Sequence, residues 1–407
     1  MSLRVSKSSV VFSVFIMTMF LPIYFSGSVF NMIENIAFMA SVIVLFKYKY
    51  KWNVVTIATV AYWVELLILT CINGLSTVDY HLIISKSKIV ICILCIDFML
   101  HRYLKEAINI LFYILLVYVT ADLISVILFP DGLFFVARKM NEWSTAYSPQ
   151  WLLGNKNNRT FWYLMLMTLS YWKFNLFRRA KSIWPMIISI CSVLVVIFLK
   201  SSTSTVALGV AACGLIASYY SKTEKKFRIS TKVIFIFYAI LSIIILLGDV
   251  FINQSGILNV LTQELFGKDI STVLSRTIAW QGTIAQIVQN PLLGSGIISS
   301  EKAGNILGSV ALTDAHNAVL NILWQGGIVA FGLVVVIFIN IARKAKYIKN
   351  KNIAFFVSMI LIAILVETLF ESVLSQDYGW YMIIVLYEMA MFYSNATEKE
   401  SVSEIKS

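Results

Sequence analysis

Apolar stretches of about membrane-crossing length follow one another along this chain with little between them, and that succession decides most of what it can fold into. A helix needs about 20 mostly apolar residues to cross about 30 Å of hydrocarbon. Such segments fall near 10–26, 29–46, 54–71, 83–100, 107–129, 158–173, 184–199, 203–221, 232–250, 316–341, 352–373 and 378–394. They predict an all-α polytopic transmembrane helical bundle of about 12 spans, with residues 1–407 forming a single integral membrane domain. Of the 407 residues, 59% are hydrophobic and 13% charged, whereas a soluble domain carries roughly 25% charged residues. Too little polar surface is left to cover a globule in water. The first apolar run, Val10–Phe25, follows Arg4 and Lys7 in the manner of a signal peptide. Bulky Pro22-Ile23-Tyr24-Phe25 stands where a small-residue cleavage site would be, so a retained span is expected.

The net charge of +12 would suggest nucleic acid in a soluble protein. Here the basic residues cluster between apolar runs: Lys47, Lys49 and Lys51; Lys173, Arg178, Arg179 and Lys181; Lys222, Lys225, Lys226, Arg228 and Lys232; Arg343, Lys344, Lys346, Lys349 and Lys351. Alternate loops carry them, which is the positive-inside pattern and calls for no nucleic acid. It places both termini and the basic loops in the cytoplasm. The five cysteines (Cys71, Cys92, Cys95, Cys191, Cys213) lie in or beside apolar segments, and the Cys92/Cys95 spacing reads as packing on one helix face rather than as a zinc site.

Two outer loops are long, roughly 130–157 and roughly 251–315, and loops of that size usually carry structure or a task. In the second, Leu274, Ile278, Ile284, Ile287 and Val288 recur at helical spacing within Val273–Gln289, before Pro291, Gly294 and Gly296. That pattern predicts an amphipathic helix at the outer interface.

Ionisable residues inside spans are costly and are functional candidates by default. Lys86, Lys88, Asp122, Lys200, Asp249, Glu367, Glu371 and Asp377 fall near outer ends, while Glu65 and Asp97 point deeper or inward. Each has a plain reading. The lysines can snorkel to headgroups, Lys200-Ser201-Ser202-Thr203-Ser204-Thr205 can be a polar turn, and Glu367 and Glu371, one turn apart, can pair with basic neighbours. The shared bias suggests a polar cavity opening outward.

The chemistry concentrates in three pieces: Ser275-Arg276-Thr277-Ile278-Ala279-Trp280, Asn290-Pro291-Leu292-Leu293-Gly294-Ser295-Gly296, and Asp314-Ala315-His316-Asn317. Asp314 is a good N-cap for the following span, which would set His316 in the first turn, where the helix dipole favours a neutral imidazole able to accept a proton. Asn317, Asn321 and Gln325 continue as a polar stripe. Arg276 could hold a phosphate at headgroup level or simply anchor its helix there. A lone histidine is often structural. No DxD, HExxH, Walker loop or Gly-x-Ser-x-Gly is present, so no metal site and no cofactor is expected.

In that order, Ser-Arg with an aliphatic-Trp run, Pro-x-x-Gly-x-Gly, then His-Asn opening a helix with Gly326-Gly327, the pattern resembles the O-antigen polymerase and ligase superfamily. Gly154-Asn155-Lys156-Asn157-Asn158 and the turn after Lys200 add to the likeness, which covers roughly 150–330. The resemblance implies metal-independent, inverting glycosyl transfer from undecaprenyl-pyrophosphate-linked oligosaccharides, in the bacterial cytoplasmic membrane, with the site facing outward. It implies His316 as general base and Arg276 as the group that holds the departing pyrophosphate. Lys200 stands where the family usually has an arginine, keeping the charge but losing the bidentate fork. Lys200, Arg159, Lys86, Lys88, Asn317, Asp314, Glu367 and Glu371 are the candidates for binding lipid pyrophosphate or sugar. Membrane lipids, a chain-length regulator and a flippase are the other expected partners.

Three functions remain in play: a capsule- or exopolysaccharide-type polymerase, favoured by the Gly154–Asn158 stretch; a ligase moving finished chains to another acceptor; and a transporter or flippase without catalysis. A transporter would place ionisable groups near the midplane, whereas this chain gathers them outside.

Overall fold

The structure is a computed structural model that describes residues 6–21, 27–48, 50–73, 77–139, 145–177, 182–220, 230–252, 270–307, 314–375 and 377–395. Among these the chain is 81% helical with 14 helices, as an all-α membrane protein requires, because lipid offers no partner for an unpaired backbone group. In order they are α1 (Lys7–Met19), α2 (Ser28–Lys47), α3 (Val54–Ile72), α4 (Thr77–Arg102), α5 (Leu104–Leu128), α6 (Thr160–Phe177), α7 (Trp184–Phe198), α8 (Ser202–Tyr220), α9 (Thr231–Ile252), α10 (Ile270–Gln289), α11 (Ser300–Ile306), α12 (Ala318–Tyr347), α13 (Lys351–Phe370) and α14 (Asp377–Asn395). A helix stands at each of the twelve apolar segments read from the sequence. Six are long and apolar enough to cross a membrane: α2, α3, α5, Ser202–Tyr219 of α8, α12 and α13. Lys7–Met19, Trp184–Phe198 and Lys232–Ser242 are shorter apolar helices.

The bundle is built around α6 and α14. Phe161 to Trp172 and Trp380 to Leu386 are buried without interruption, as expected of helices surrounded by protein. Outer helices turn one face to lipid; α2 buries only Ala37 and Ser41. The closest seam joins α8 and α13, where a Cβ at Gly214 would stand 2.4 Å from Met359 Cβ. Small residues (Ala207, Ala211, Ala212, Gly214) let these two backbones approach, since packing drives helix association in lipid.

One finding departs from the sequence reading. The loop near 130–157 holds a two-stranded antiparallel sheet, β1 (Phe134–Lys139) with β2 (Thr145–Gln150), pairing Phe134 with Gln150 and Lys139 with Thr145. The Phe134-Phe135-Val136 run is strand-favouring, and the local preference goes unopposed outside the bundle. The amphipathic helix of the second outer loop is present as α10; among its described side chains Ala279, Trp280 and Thr283 are buried, with Ile287 packed beside them. Ile284 and Val288 of the expected apolar face are 44% and 72% exposed to the surroundings, as a face turned to lipid would be.

Candidate functional site

One end of the bundle brings together the C-terminal ends of α5, α7 and α13 and the N-terminal ends of α6, α8 and α12. The helix after the His-Asn pair starts at Ala318 with Asn317 as N-cap, its Oδ1 accepting from Leu320 N at 3.0 Å while its Nδ2 donates to the Leu369 carbonyl at 2.9 Å. This corrects the expected cap. Asp314 does not cap the helix and His316 is not in its first turn, because Asn317 both satisfies an orphan backbone N–H and ties the helix to α13. Asp314 instead accepts from the His316 backbone N–H at 2.7 Å.

That contact holds His316 at φ 46, a left-handed conformation that L-residues adopt at a cost of roughly 1–2 kcal/mol. Its imidazole is 30% exposed, with Nδ1 3.6 Å from Asp314 Oδ1 and 3.7 Å from Glu371 Oε2.

Glu371 is itself held. Asn157 Nδ2 donates to Glu371 Oε1 at 2.8 Å, and Ser201 Oγ donates to Asn157 Oδ1 at 2.9 Å. Ser204 Oγ lies 2.7 Å from both Ser201 Oγ and Thr160 Oγ1, and Thr160 Oγ1 donates to the fully buried Glu367 at 3.0 Å. Asn157 is presented by a tight turn in which Trp151 and Gly154 pair through both backbone groups and Asn155 Oδ1 accepts from the N–H groups of Asn157 and Asn158. The sequence reading singled out both turns as motifs but did not name Asn157, Ser201, Ser204 or Thr160 as site residues; the dense Asn, Ser and Thr content was the available signal.

Lys200 begins the Ser-rich turn at φ 54. Its N–H donates to Ile197 O and that of Ser201 to Val196 O, so Lys200 occupies the left-handed position that glycine usually takes at a helix C-terminus. Its side chain is exposed, and the next residue, Ser201, belongs to the network. Arg159 is fully buried. Its Nη1 lies 3.4 Å from Asp122 Oδ2, its Nη2 donates to Gly154 O at 3.3 Å, and its guanidinium stacks 5.1 Å over the Trp151 ring. Asp122 also accepts from Leu153 N and the Tyr163 hydroxyl. Arg159 therefore braces the Asn157 turn rather than facing outward as a ligand group.

The Pro-x-x-Gly-x-Gly piece has a structural meaning. Helix α12 is broken at Gly327 (φ 62, ψ −160), where the backbone is non-helical. The Pro291–Gly296 loop enters the break: Ile328 N donates to Pro291 O, Val329 N to Leu292 O, Ser295 N to Trp324 O and Gly296 N to Gln325 O. Ile297 N then donates to Thr70 Oγ1 of α3. The backbone groups freed by the break are thus satisfied within the protein. The loop connects α10 to this half-helix, and Trp280 packs on Ala315 and Leu320 beside His316. Arg276 stands in α10 four residues before Trp280, about 6 Å along the axis; its side chain lies outside the described residues. Of the polar stripe, Asn321 and Gln325 are buried.

Lys86 and Lys88 are placed elsewhere. Lys86 lies 5.4 Å over the Trp63 ring, and Lys88 pairs with Glu34 at 2.5 Å. Asp97 lies at the other end of the bundle, where it accepts from Tyr50 and Asn53, and Asn53 reaches Glu388 at 3.5 Å. Asp249 and Asp377 are placed on their helices, but their side chains lie outside the described residues. Among the described residues no three His, Cys, Asp or Glu side chains form a metal-ligand group.

Residues 187–335 match the O-antigen ligase family, consistent with the O-antigen polymerase and ligase superfamily to which the motifs led. The match runs from α7 into α12, so it takes in Lys200, Arg276, His316 and the Pro–Gly loop but not Asn157, Glu367 or Glu371. It points to a membrane function of O-antigen ligase or polymerase type. Comparison with curated proteins gave no match.

Proposed function

We propose that this protein polymerises lipid-diphosphate-linked oligosaccharide repeat units into a surface polysaccharide. The observation that carries the reading is His316, held in a strained backbone with Nδ1 facing Asp314 and Glu371 at the polar end of the bundle. The other imidazole nitrogen takes the proton from the acceptor sugar hydroxyl as its oxygen attacks the anomeric carbon of the donor. The bond from that carbon to the diphosphate breaks on the opposite face, its electron pair leaving with the lipid diphosphate, so the configuration inverts. The imidazolium that forms is stabilised by the two carboxylates, and Asn157 keeps Glu371 aimed at it. Arg276 and Lys200 are the cations assigned to the departing diphosphate.

Twelve crossings with both termini cytoplasmic would set this end at the outer face of a bacterial cytoplasmic membrane, where undecaprenyl-pyrophosphate-linked units are presented. The charge pattern supports that orientation, since the basic ends of α9 and α12 lie at the opposite end of the bundle. A second reading, ligation of finished chains to another acceptor, is favoured by the family match itself, whose description is O-antigen ligase.

His316→Ala in cells making the polymer, with the glycan resolved on a gel, tests the base. Loss of long chains at normal protein level is expected, and retained long chains would refute the assignment. Purified protein given lipid-linked repeat units alone separates the two readings: a polymerase lengthens them, whereas a ligase leaves them unchanged until a second acceptor is supplied.

A further inference from the structure

At the end of the bundle remote from His316, helices α9, α12 and α13 enclose a cavity of about 430 Å³. Its rim carries Lys232, Arg343 and Lys346, all exposed, and among the described residues no acidic side chain lines it. Its floor is made of Ala342, Ala345 and Ala354, small enough to leave room, and Ser230 and Ser358 add hydroxyls. Three converging cations over a small-residue floor suit a phosphate, because cationic pockets between transmembrane helices recruit anionic headgroups.

Ile234 also lines a smaller apolar groove of about 140 Å³ that continues along the α9–α13 seam through Phe237, Leu241, Leu365 and Leu369. The Tyr238 hydroxyl, 3.1 Å from Thr368 Oγ1, marks its far end. A basic cavity that shares Ile234 with an apolar groove suits a headgroup with a hydrocarbon chain attached. We infer that this site binds one anionic phospholipid of the leaflet at this end, its phosphate among Lys232, Arg343 and Lys346 and an acyl chain between α9 and α13. A free phosphate compound would use the cations but would leave the groove unexplained. The site is separate from the glycosyl-transfer reading and stands or falls without it.

Native mass spectrometry of the delipidated full-length protein tests this with phosphatidylglycerol and phosphatidylcholine added in turn. One phosphatidylglycerol is expected to be retained in preference to phosphatidylcholine. Near a membrane surface each cation contributes about a fivefold change in affinity, so K232Q/R343Q/K346Q should weaken phosphatidylglycerol on the order of a hundredfold and leave phosphatidylcholine unchanged. These side chains are exposed, so the variant should fold, as checked by elution on gel filtration. Removing the same charge elsewhere, in K7Q/K47Q/K349Q, should leave the preference intact. Equal retention of both lipids by the unaltered protein, or equal losses from the two triple variants, would overturn the inference. So would displacement of the lipid by glycerol phosphate, which lacks chains, as efficiently as by phosphatidylglycerol.

Discussion

Replacing Gly327 with alanine is expected to damage the fold far more than a one-carbon change in a helix ordinarily does. At φ 62 and ψ −160 the residue sits in a region that essentially only glycine occupies, and forcing alanine there costs of order 1–3 kcal/mol. The added Cβ would stand 2.2 Å from Leu292 O and 2.3 Å from Leu292 C. Both are backbone atoms, so no rotamer change relieves the clash and the Pro291–Gly296 loop must withdraw. Four backbone hydrogen bonds cross between loop and break, and losing two of them at about 1 kcal/mol each brings the total to roughly 3–5 kcal/mol. That is a large fraction of the roughly 5–15 kcal/mol that holds a domain together. Gly332 gives the control within the same helix, since a Cβ there meets nothing within 4 Å and alanine should be neutral or stabilising by up to about 1 kcal/mol. Thermal unfolding of the two purified variants in detergent should separate them by on the order of 10 °C. Equal melting temperatures would show that the loop does not stabilise the break, and the account of this motif would be wrong.

Three further substitutions address the site. Glu371→Gln keeps the volume but removes the charge facing His316, and should lower kcat by roughly 10–100-fold with little change in KM; a change confined to KM would show that Glu371 only binds sugar. Lys200→Gly relieves the left-handed position and should raise stability by up to about 1 kcal/mol while lowering turnover; full activity would remove Lys200 from the diphosphate site. Asp122→Asn leaves the Arg159 guanidinium buried without its counter-charge and should cost about 3–5 kcal/mol in an unfolding assay; an unchanged melting temperature would refute the bracing role.

Hydropathy alone located a helix at every apolar segment, because in lipid the helix is the only local structure that satisfies its own backbone. What escaped was whatever depends on contact between distant segments. That Lys88 pairs with Glu34, 54 residues away, could not be read from its own segment. Asp314 and Asn317 are both good caps, and the choice between them rests on the Leu369 carbonyl, which no local pattern reveals. Pro291, Gly294, Gly296, Gly326 and Gly327 were all visible as motif letters. Their meaning, one loop seated in one broken helix, appears only when Gly294 is found with its Cβ position 2.6 Å from the Gln325 carbonyl. Arg159 looked like one more outer cation; Asp122, from a different helix, turns it into a buried brace.

Among the described residues two that are not glycine have positive φ, and they are Lys200 and His316. Both are positions where glycine would fold with less strain, and both border the network that runs from Glu371 through Asn157 and Ser201 to Thr160 and Glu367. Each strained backbone is held by its surroundings, Lys200 by the paired bonds that close α7 and His316 by the Asp314 carboxylate. An outlier that its neighbours hold in place points toward function, not the reverse. The two strained positions carry a cation and an imidazole at the same end of the bundle. The strain therefore supports His316 and Lys200 as working groups, on grounds independent of the motifs and of the family match.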